Sequence, residues 1–220
     1  MNMHPESMIA VDAADLVGTL YRGIPLELIA RHEVGHAVMA VQCGGYATRI
    51  ILGRTLSGSP FGRACWFIPP RIESRLLVLS GGALALYLHC RRSGPTFSDF
   101  YDWASTLEGN LLAGSGVKDW EEILWRTEQP TGRGMEDLVQ RAVRPYFDEA
   151  IELLMKASDQ LDGLTELVVA QPPGLGRRAL ERFFAGRPRS RWAERLDRPT
   201  VLWAAYAERR ARTRPPNSPE

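Results

Sequence analysis

Two histidines and a glutamate stand within an apolar run near the start of the chain. The segment IARHEVGHAVMAVQ, residues 29–42, places His32 and His36 four residues apart. On a helix this spacing puts both imidazoles on one face, one turn apart, where they can bind the same zinc ion. Glu33 can then act on a water at that ion, whose pKa zinc lowers from about 16 to about 7. The pattern predicts a hydrolytic zinc site with His32 and His36 as ligands and Glu33 as the catalytic base.

A helix that only packs in the core is the alternative for this segment. Burying two histidines and a glutamate without a metal would leave several polar groups unpaired, which is costly. The flanking sequences LELIA and AVMAVQ also supply the apolar helical pattern that the motif requires. A hydrolytic zinc needs a third protein ligand and one open position. Because no third histidine follows at a short spacing, an aspartate or glutamate on a later helix is expected to complete the site.

The secondary structure around this motif follows from hydrophobic period and from chain-breaking residues. Residues 25–43 are predicted to form a helix that a Gly-Gly pair ends. YATRIILG and RACWFIPP are predicted as strands, with a turn at SGSPFG between them. Residues 71–90 form a second apolar helix, and Ser98 has the chemistry of an N-cap for the next one.

The second half of the chain is predicted to be helical. Helices are expected at residues 11–21, 118–128 and 177–186, and an amphipathic pair at 135–170 that ends at QPPGLG. The expected inward positions of that pair are Ala142, Phe147, Ile151, Leu154, Leu161, Leu164 and Leu167. The fold class is therefore mainly α with a small β-sheet, the motif helix packing on the short sheet.

Composition places the chain among ordinary globular proteins. Of its 220 residues, 45% are hydrophobic and 24% are charged, and the net charge of +1 gives no strong overall attraction to polyanions. The three cysteines show no C-x-x-C spacing, which favours a reducing compartment. Neither a signal peptide nor an apolar run of membrane-spanning length is evident. We therefore expect a cytoplasmic protein without a membrane partner.

Several segments resemble the FtsH family of zinc peptidases. IARHEVGHAVMAV is similar to the H-E-A-G-H-A helix of that family, and RIILGR and ACWFIPP look like the strands that follow it. ESRLLVLSGGALALYL resembles the family's Gly-Gly helix, and SDFYDWASTL resembles its N-D-L segment. YFDEAIELLMKASDQLDGLTELVV looks like its closing helical hairpin. The likeness covers roughly residues 26–185.

The resemblance implies a zincin-like domain and a ligand set. His32 and His36 would be zinc ligands and Glu33 the general base, as the motif already indicates. The third ligand falls on Asp99, with Asp102 as the close alternative because an apolar residue follows it too. Either acid would also suit a helix N-terminus for electrostatic reasons alone. The implied domains are an N-terminal segment (1–25), a peptidase domain (26–186) and an arginine-rich extension (187–220), whose end is expected to be disordered.

Two departures from the family pattern shape the functional expectation. Leu86 and Tyr87 stand where the family's Gly-Gly helix carries acids. The family joins its peptidase to an ATPase module and a membrane anchor, whereas 31 residues precede His32 here and no phosphate-binding loop motif is present. We therefore expect an ATP-independent zinc endopeptidase acting on peptides or unfolded protein. It would act alone or be fed by an ATPase on another chain, and a homo-oligomer would match the family's rings.

Two alternatives belong to other functional classes. A catalytically silent binding module would keep the zinc but would not need Glu33, whose presence favours the peptidase. The arginine-rich extension carries nine arginines and three acids between Arg187 and Arg214 and would suit a nucleic acid. It also fits a solvated amphipathic helix, which we prefer, so nucleic acid is not an expected partner. Trp66 and Phe67, in the second strand, are candidates for lining a substrate groove or for packing in the core.

Overall fold

A computed structural model describes residues 23–68, 72–94, 97–106 and 144–188. In these ranges the chain is mainly helical with a small antiparallel sheet, which confirms the predicted fold class at that level. The helices are α1 (Leu26–Gln42), α2 (Ile72–Ser93), α3 (Phe100–Ser105), α4 (Arg144–Lys156), α5 (Ser158–Ala170) and α6 (Arg177–Phe184); the strands are β1 (Tyr46–Arg54), β2 (Pro60–Phe67) and β3 (Gly174–Gly176). The helices predicted at 11–21 and 118–128, and the extension beyond residue 188, lie outside the described residues.

Helix α1 is the centre of the described structure. Every residue from Ile29 to Gln42 except Glu33 is buried, because α1 packs against α2, α5 and the sheet at once. The helix ends as predicted at the Gly-Gly pair. Gly44 has a φ of 82°, a conformation that favours glycine, and the Gly45 amide donates to the Ala40 carbonyl over 2.9 Å. The motif residues therefore sit on a helix that is enclosed along most of its length.

The strands pair in the order β2-β1-β3, so β2 lies at an edge of the sheet as far as the structure describes it. Ile50 of β1 pairs with Ala64 of β2 on one side and with Leu175 of β3 on the other. The helical pair ends at Ala170, as predicted from QPPGLG, but the strand formed by the last three residues of that segment was not predicted. The turn prediction was also too long, since β2 already begins at Pro60.

Helices α1 and α2 touch through their backbones. A Cβ added at Gly35 would lie 2.3 Å from the carbonyl oxygen of Gly81, and one added at Gly81 would lie 2.8 Å from the carbonyl oxygen of Gly35. Any side chain at either position would separate the helices. Gly35, which stands between the two motif histidines, thus sets how closely α2 approaches them.

An aromatic cluster attaches the short helix α3 to the rest of the fold. The rings of Phe100 and Trp103 lie 5.8 and 5.9 Å from the ring of Tyr87 on α2, and Phe100 also contacts Phe147 on α4. Tyr87, one of the departures from the family pattern, is therefore a core residue that holds α3 in place. The hairpin of α4 and α5 packs behind this cluster and against α1.

The predicted inward positions of that hairpin agree with the structure wherever it describes them. Phe147, Leu154, Leu161 and Leu164 are buried, and Ile151 and Leu167 are partly buried against the core. Ala142 lies outside the described residues. Cys43 is also in the core, and burial, aided by the nearby charge of Glu149, raises the pKa of its thiol to about 12. Among the described helices, none is both long and apolar enough to cross a bilayer.

Candidate metal centre

The imidazoles of His32 and His36 meet on one face of α1. Their Nε2 atoms are 3.1 Å apart, and the ring planes cross at 81°. Both residues are buried, at 5% and 4% exposure. Two nitrogens that each lie 2.0–2.1 Å from one tetrahedral zinc would be roughly 3.3 Å apart. The spacing between the two nitrogens therefore fits ligands of a single ion.

A backbone carbonyl of α2 sets the tautomer of neutral His36. The Nδ1 atom of His36 lies 2.7 Å from the carbonyl oxygen of Val78. Because a carbonyl oxygen can only accept, Nδ1 carries the hydrogen and donates it. In the neutral ring Nε2 then has the lone pair, and Nε2 is the atom that faces His32. The same kind of hydrogen bond orients histidines that bind metals through Nε2.

Gly82 leaves room for both imidazoles against α2. A Cβ added at this position would lie 2.6 Å from Nε2 of His32 and 2.6 Å from Nε2 of His36. The two nitrogens thus face a stretch of helix without a side chain. The Gly-Gly pair has two separate uses, since Gly81 admits the backbone of α1 and Gly82 admits the histidines. The sequence showed the pair, but the second use depends on how α1 and α2 pack.

The Glu33 side chain points toward the sheet. Its Oε2 accepts a hydrogen bond from the backbone amide of Ala64 over 2.5 Å. A Cβ added at Gly62 would lie 2.5 Å from Cγ of Glu33, so the small residues at 62 and 64 make the approach possible. Backbone amides point within the plane of a sheet, and β2 is an edge strand. The carboxylate therefore lies beside the sheet edge, one residue from the first histidine. Neither Gly62 nor Ala64 was predicted to belong to the site, although G-x-A on one face of a strand is a visible signal.

Asp99 and Asp102 are placed together at the start of α3. Asp99 Oδ1 accepts from the Asp102 amide over 3.0 Å, and Asp102 Oδ2 accepts from the Ser98 amide over 2.9 Å. These are the hydrogen bonds of a capped helix start. The N-cap position predicted for Ser98 is taken by Asp99 instead, since the helix begins at Phe100.

The structure does not join these carboxylates to the histidines. Within the described ranges, no group of three or more His, Cys, Asp and Glu side chains is arranged to hold a metal ion. The cluster that anchors α3 contacts Tyr87, which follows Gly82 by five residues, or about 7.5 Å along the axis of α2. Asp99 and Asp102 are thus carried by a helix that packs against α2 at Tyr87. The assignment of either as the third ligand stays a prediction.

Trp66 and Phe67 lie on opposite faces of the sheet. Trp66 pairs with the buried Ala47 and packs against the core, with the guanidinium of Arg75 5.3 Å from its ring centre. Phe67 pairs with Tyr46 on the other face and is 58% exposed. The two side chains therefore cannot line one groove together. The part of β2 that contacts Glu33 is the backbone amide of Ala64.

Comparison with models of known protein families and with curated proteins found no match to this sequence.

Proposed function

We propose that this chain is a zinc-dependent, ATP-independent endopeptidase with an FtsH-like, zincin-type site. The observation that supports it best is the pair of Nε2 atoms 3.1 Å apart, with the tautomer of His36 set by the Val78 carbonyl. Because Gly82 has no side chain, both nitrogens can lie close together against the backbone of α2.

His32 and His36 fit zinc as neutral nitrogen ligands, and Asp99, or alternatively Asp102, would complete the set. Zinc bound there would polarise the scissile carbonyl and lower the pKa of a water beside it. One oxygen of the Glu33 carboxylate accepts from the Ala64 amide, and the other would be the proton acceptor. Glu33 would accept the proton of the attacking water and later give it to the leaving amine.

The edge of β2 would bind the substrate in an extended form, beside the Ala64 amide that Glu33 occupies. A peptide that pairs with an edge strand gains main-chain hydrogen bonds, whatever its side chains. The main-chain groups of folded proteins are mostly paired already, so the expected substrates are flexible segments or unfolded protein. An ATPase on another chain would extend this range to folded substrates, and a ring of copies would suit such a partner.

The test combines zinc content with cleavage of an unfolded, fluorescently labelled protein. We expect one zinc per chain in the wild type, and cleavage that Glu33→Gln abolishes while zinc is retained. Glu27→Gln, an exposed acid on the same helix, is the matched control and should cut like the wild type. Equal cleavage by Glu33→Gln, or a folded wild type that takes up no zinc, would contradict the proposal. Zinc binding without any cleavage by the wild type would favour the silent binding module.

A further inference from the structure

The sheet has one face that α1 does not cover. Alternation along the strands turns half of their residues toward α1 and half away from it. The face turned away, here named the outer sheet face, consists of Tyr46, Arg49, Ile51, Gly53, Phe61, Arg63, Cys65 and Phe67. No aspartate or glutamate occurs between residues 46 and 67. The outer sheet face therefore has no acidic residue of its own. Glu33 contacts the sheet from the opposite side, which α1 covers.

Aromatic rings are exposed at both ends of the outer sheet face. The rings of Tyr46 and Phe67, neighbours across the strands, are stacked with centres 5.4 Å apart and planes 26° apart. They are 43% and 58% exposed. At the other end the ring of Phe61 lies over Gly53, where a Cβ would come within 2.7 Å of it, and Phe61 is also 43% exposed. The rings are held in position yet keep a large part of their surface accessible.

Arginines accompany these rings. Arg49 and Arg63 are both exposed on the outer sheet face, between its two aromatic ends. The guanidinium of Arg177, at the start of α6, is paired with Glu181 and lies 5.6 Å from the ring centre of Tyr46. Arginine binds phosphate through two parallel hydrogen bonds and also stacks on flat rings. The surface therefore combines positive charge with exposed planar groups.

We propose that the outer sheet face binds single-stranded nucleic acid. Bases would stack on the exposed aromatic rings, and phosphates would contact Arg49 and Arg63, as in sequence-tolerant single-strand binding generally. From Tyr46 to Gly53 the strand runs for about 24 Å, which suits a segment of about four nucleotides. Accessible flat rings favour unpaired bases over a duplex, whose bases are already stacked. An acidic protein would pair with the arginines but would gain less from the rings. This surface is distinct from the arginine-rich extension, and the proposal does not depend on the zinc site.

The first test is fluorescence anisotropy of the full chain with labelled oligo-dT and oligo-U of eight nucleotides. Tyr46→Ala and Phe67→Ala should each weaken binding roughly tenfold, since each removes a stacking ring. Met155→Ala and Val169→Ala, which truncate exposed apolar residues on α4 and α5, are the controls and should change nothing. Circular dichroism checks that each variant is folded. Wild type that binds neither oligonucleotide would overturn the proposal.

Salt dependence separates the outer sheet face from the arginine-rich extension. Each phosphate contact to a single strand contributes about 0.7 to the slope of log K against log salt. Arg49→Ala with Arg63→Ala should therefore lower the slope by about 1.4, whereas Arg91→Ala, an exposed arginine on α2, should leave it unchanged. Binding that is insensitive to all the sheet variants would place the contact elsewhere and contradict the proposal. The proposal would also be contradicted if polyglutamate bound as tightly as the oligonucleotides and if the Tyr46 and Phe67 variants bound it with unchanged affinity. Glu33→Gln should bind as the wild type does, because Glu33 lies on the covered side.

Discussion

Arg31, the residue directly before His32, donates from Nη1 to Oδ1 of Asp162 on α5 over 2.8 Å. The Arg31 side chain is only 9% exposed, and Arg92 of α2 reaches the other oxygen of the same carboxylate over 3.1 Å. One carboxylate on α5 thus ties together the two helices that form the histidine site. Its loss would leave the Arg31 guanidinium buried without its counter-ion.

We predict that Asp162→Asn destabilises the fold by about 1–2 kcal/mol, because Arg31 is buried while Asp162 itself is partly exposed. Urea unfolding at neutral pH measures the loss. Glu166→Gln, one turn further along α5 and exposed, is the matched control and should unfold like the wild type. Equal stability of wild type and Asp162→Asn would show that the ion pair contributes nothing to holding α1 in place.

The same ion pair predicts a pH dependence. Burial alone would raise the pKa of the Asp162 carboxyl, but the hydrogen bonds and charges of Arg31 and Arg92 outweigh it and lower the pKa below its ordinary value. A lowered pKa in the folded state means that this stabilisation is present above the unfolded pKa and is lost as pH falls through the folded one. The stability difference between wild type and Asp162→Asn should therefore be constant near neutral pH and shrink below about pH 4. A difference that grew on acidification would contradict the assignment.

Gly82→Ala is expected to remove zinc binding. The added Cβ would lie 2.6 Å from both Nε2 atoms, so the imidazoles must turn away or the helices must separate. Elemental analysis after a mild chelator wash measures the zinc that remains. Gly163→Ala is the control, because its Cβ would meet the Phe183 ring at an ordinary 3.8 Å and alanine favours a helix. Full zinc content in Gly82→Ala would show that zinc binding does not require a residue without a side chain at position 82.

Asparagine variants of Asp99 and Asp102 test which of these acids is the proposed third zinc ligand. Asparagine caps a helix as well as aspartate does, so Asp99→Asn should keep the start of α3 intact while offering a neutral oxygen instead of a carboxylate. We expect zinc affinity to fall at least tenfold in Asp99→Asn and to change little in Asp102→Asn. The reverse result would assign Asp102, and no change in either would move the ligand to another part of the chain.

Local patterns predicted those features that depend on neighbours along the chain. The spacing of His32 and His36 sufficed to place both imidazoles on one face, and the Gly-Gly pair sufficed to end α1. Strand β3 was missed because three residues, two of them glycine, carry no alternation. The Asp99 cap was missed because Ser98 has equally suitable chemistry, and only the position of the first helical turn distinguishes them.

Contacts between distant segments explain why the rest of the site was not predicted. The Val78 carbonyl and the Gly82 backbone belong to the histidine site only through the packing of α2 on α1. Likewise, Ala64 reaches Glu33 only because β2 is an edge strand beside that helix. None of these relationships leaves a periodic or compositional mark near the motif itself.

The backbone contact of Gly35 with Gly81 has a consequence for how the site is assembled. It fixes the two helices by packing alone, and with them the ring orientation and tautomer of His36. Small zinc domains in which the metal drives folding have no such contact to rely on and are unfolded without it. Here the two candidate ligands are preorganised, so if the proposed zinc binds, the chain should fold before the ion arrives and take it up without a change of secondary structure.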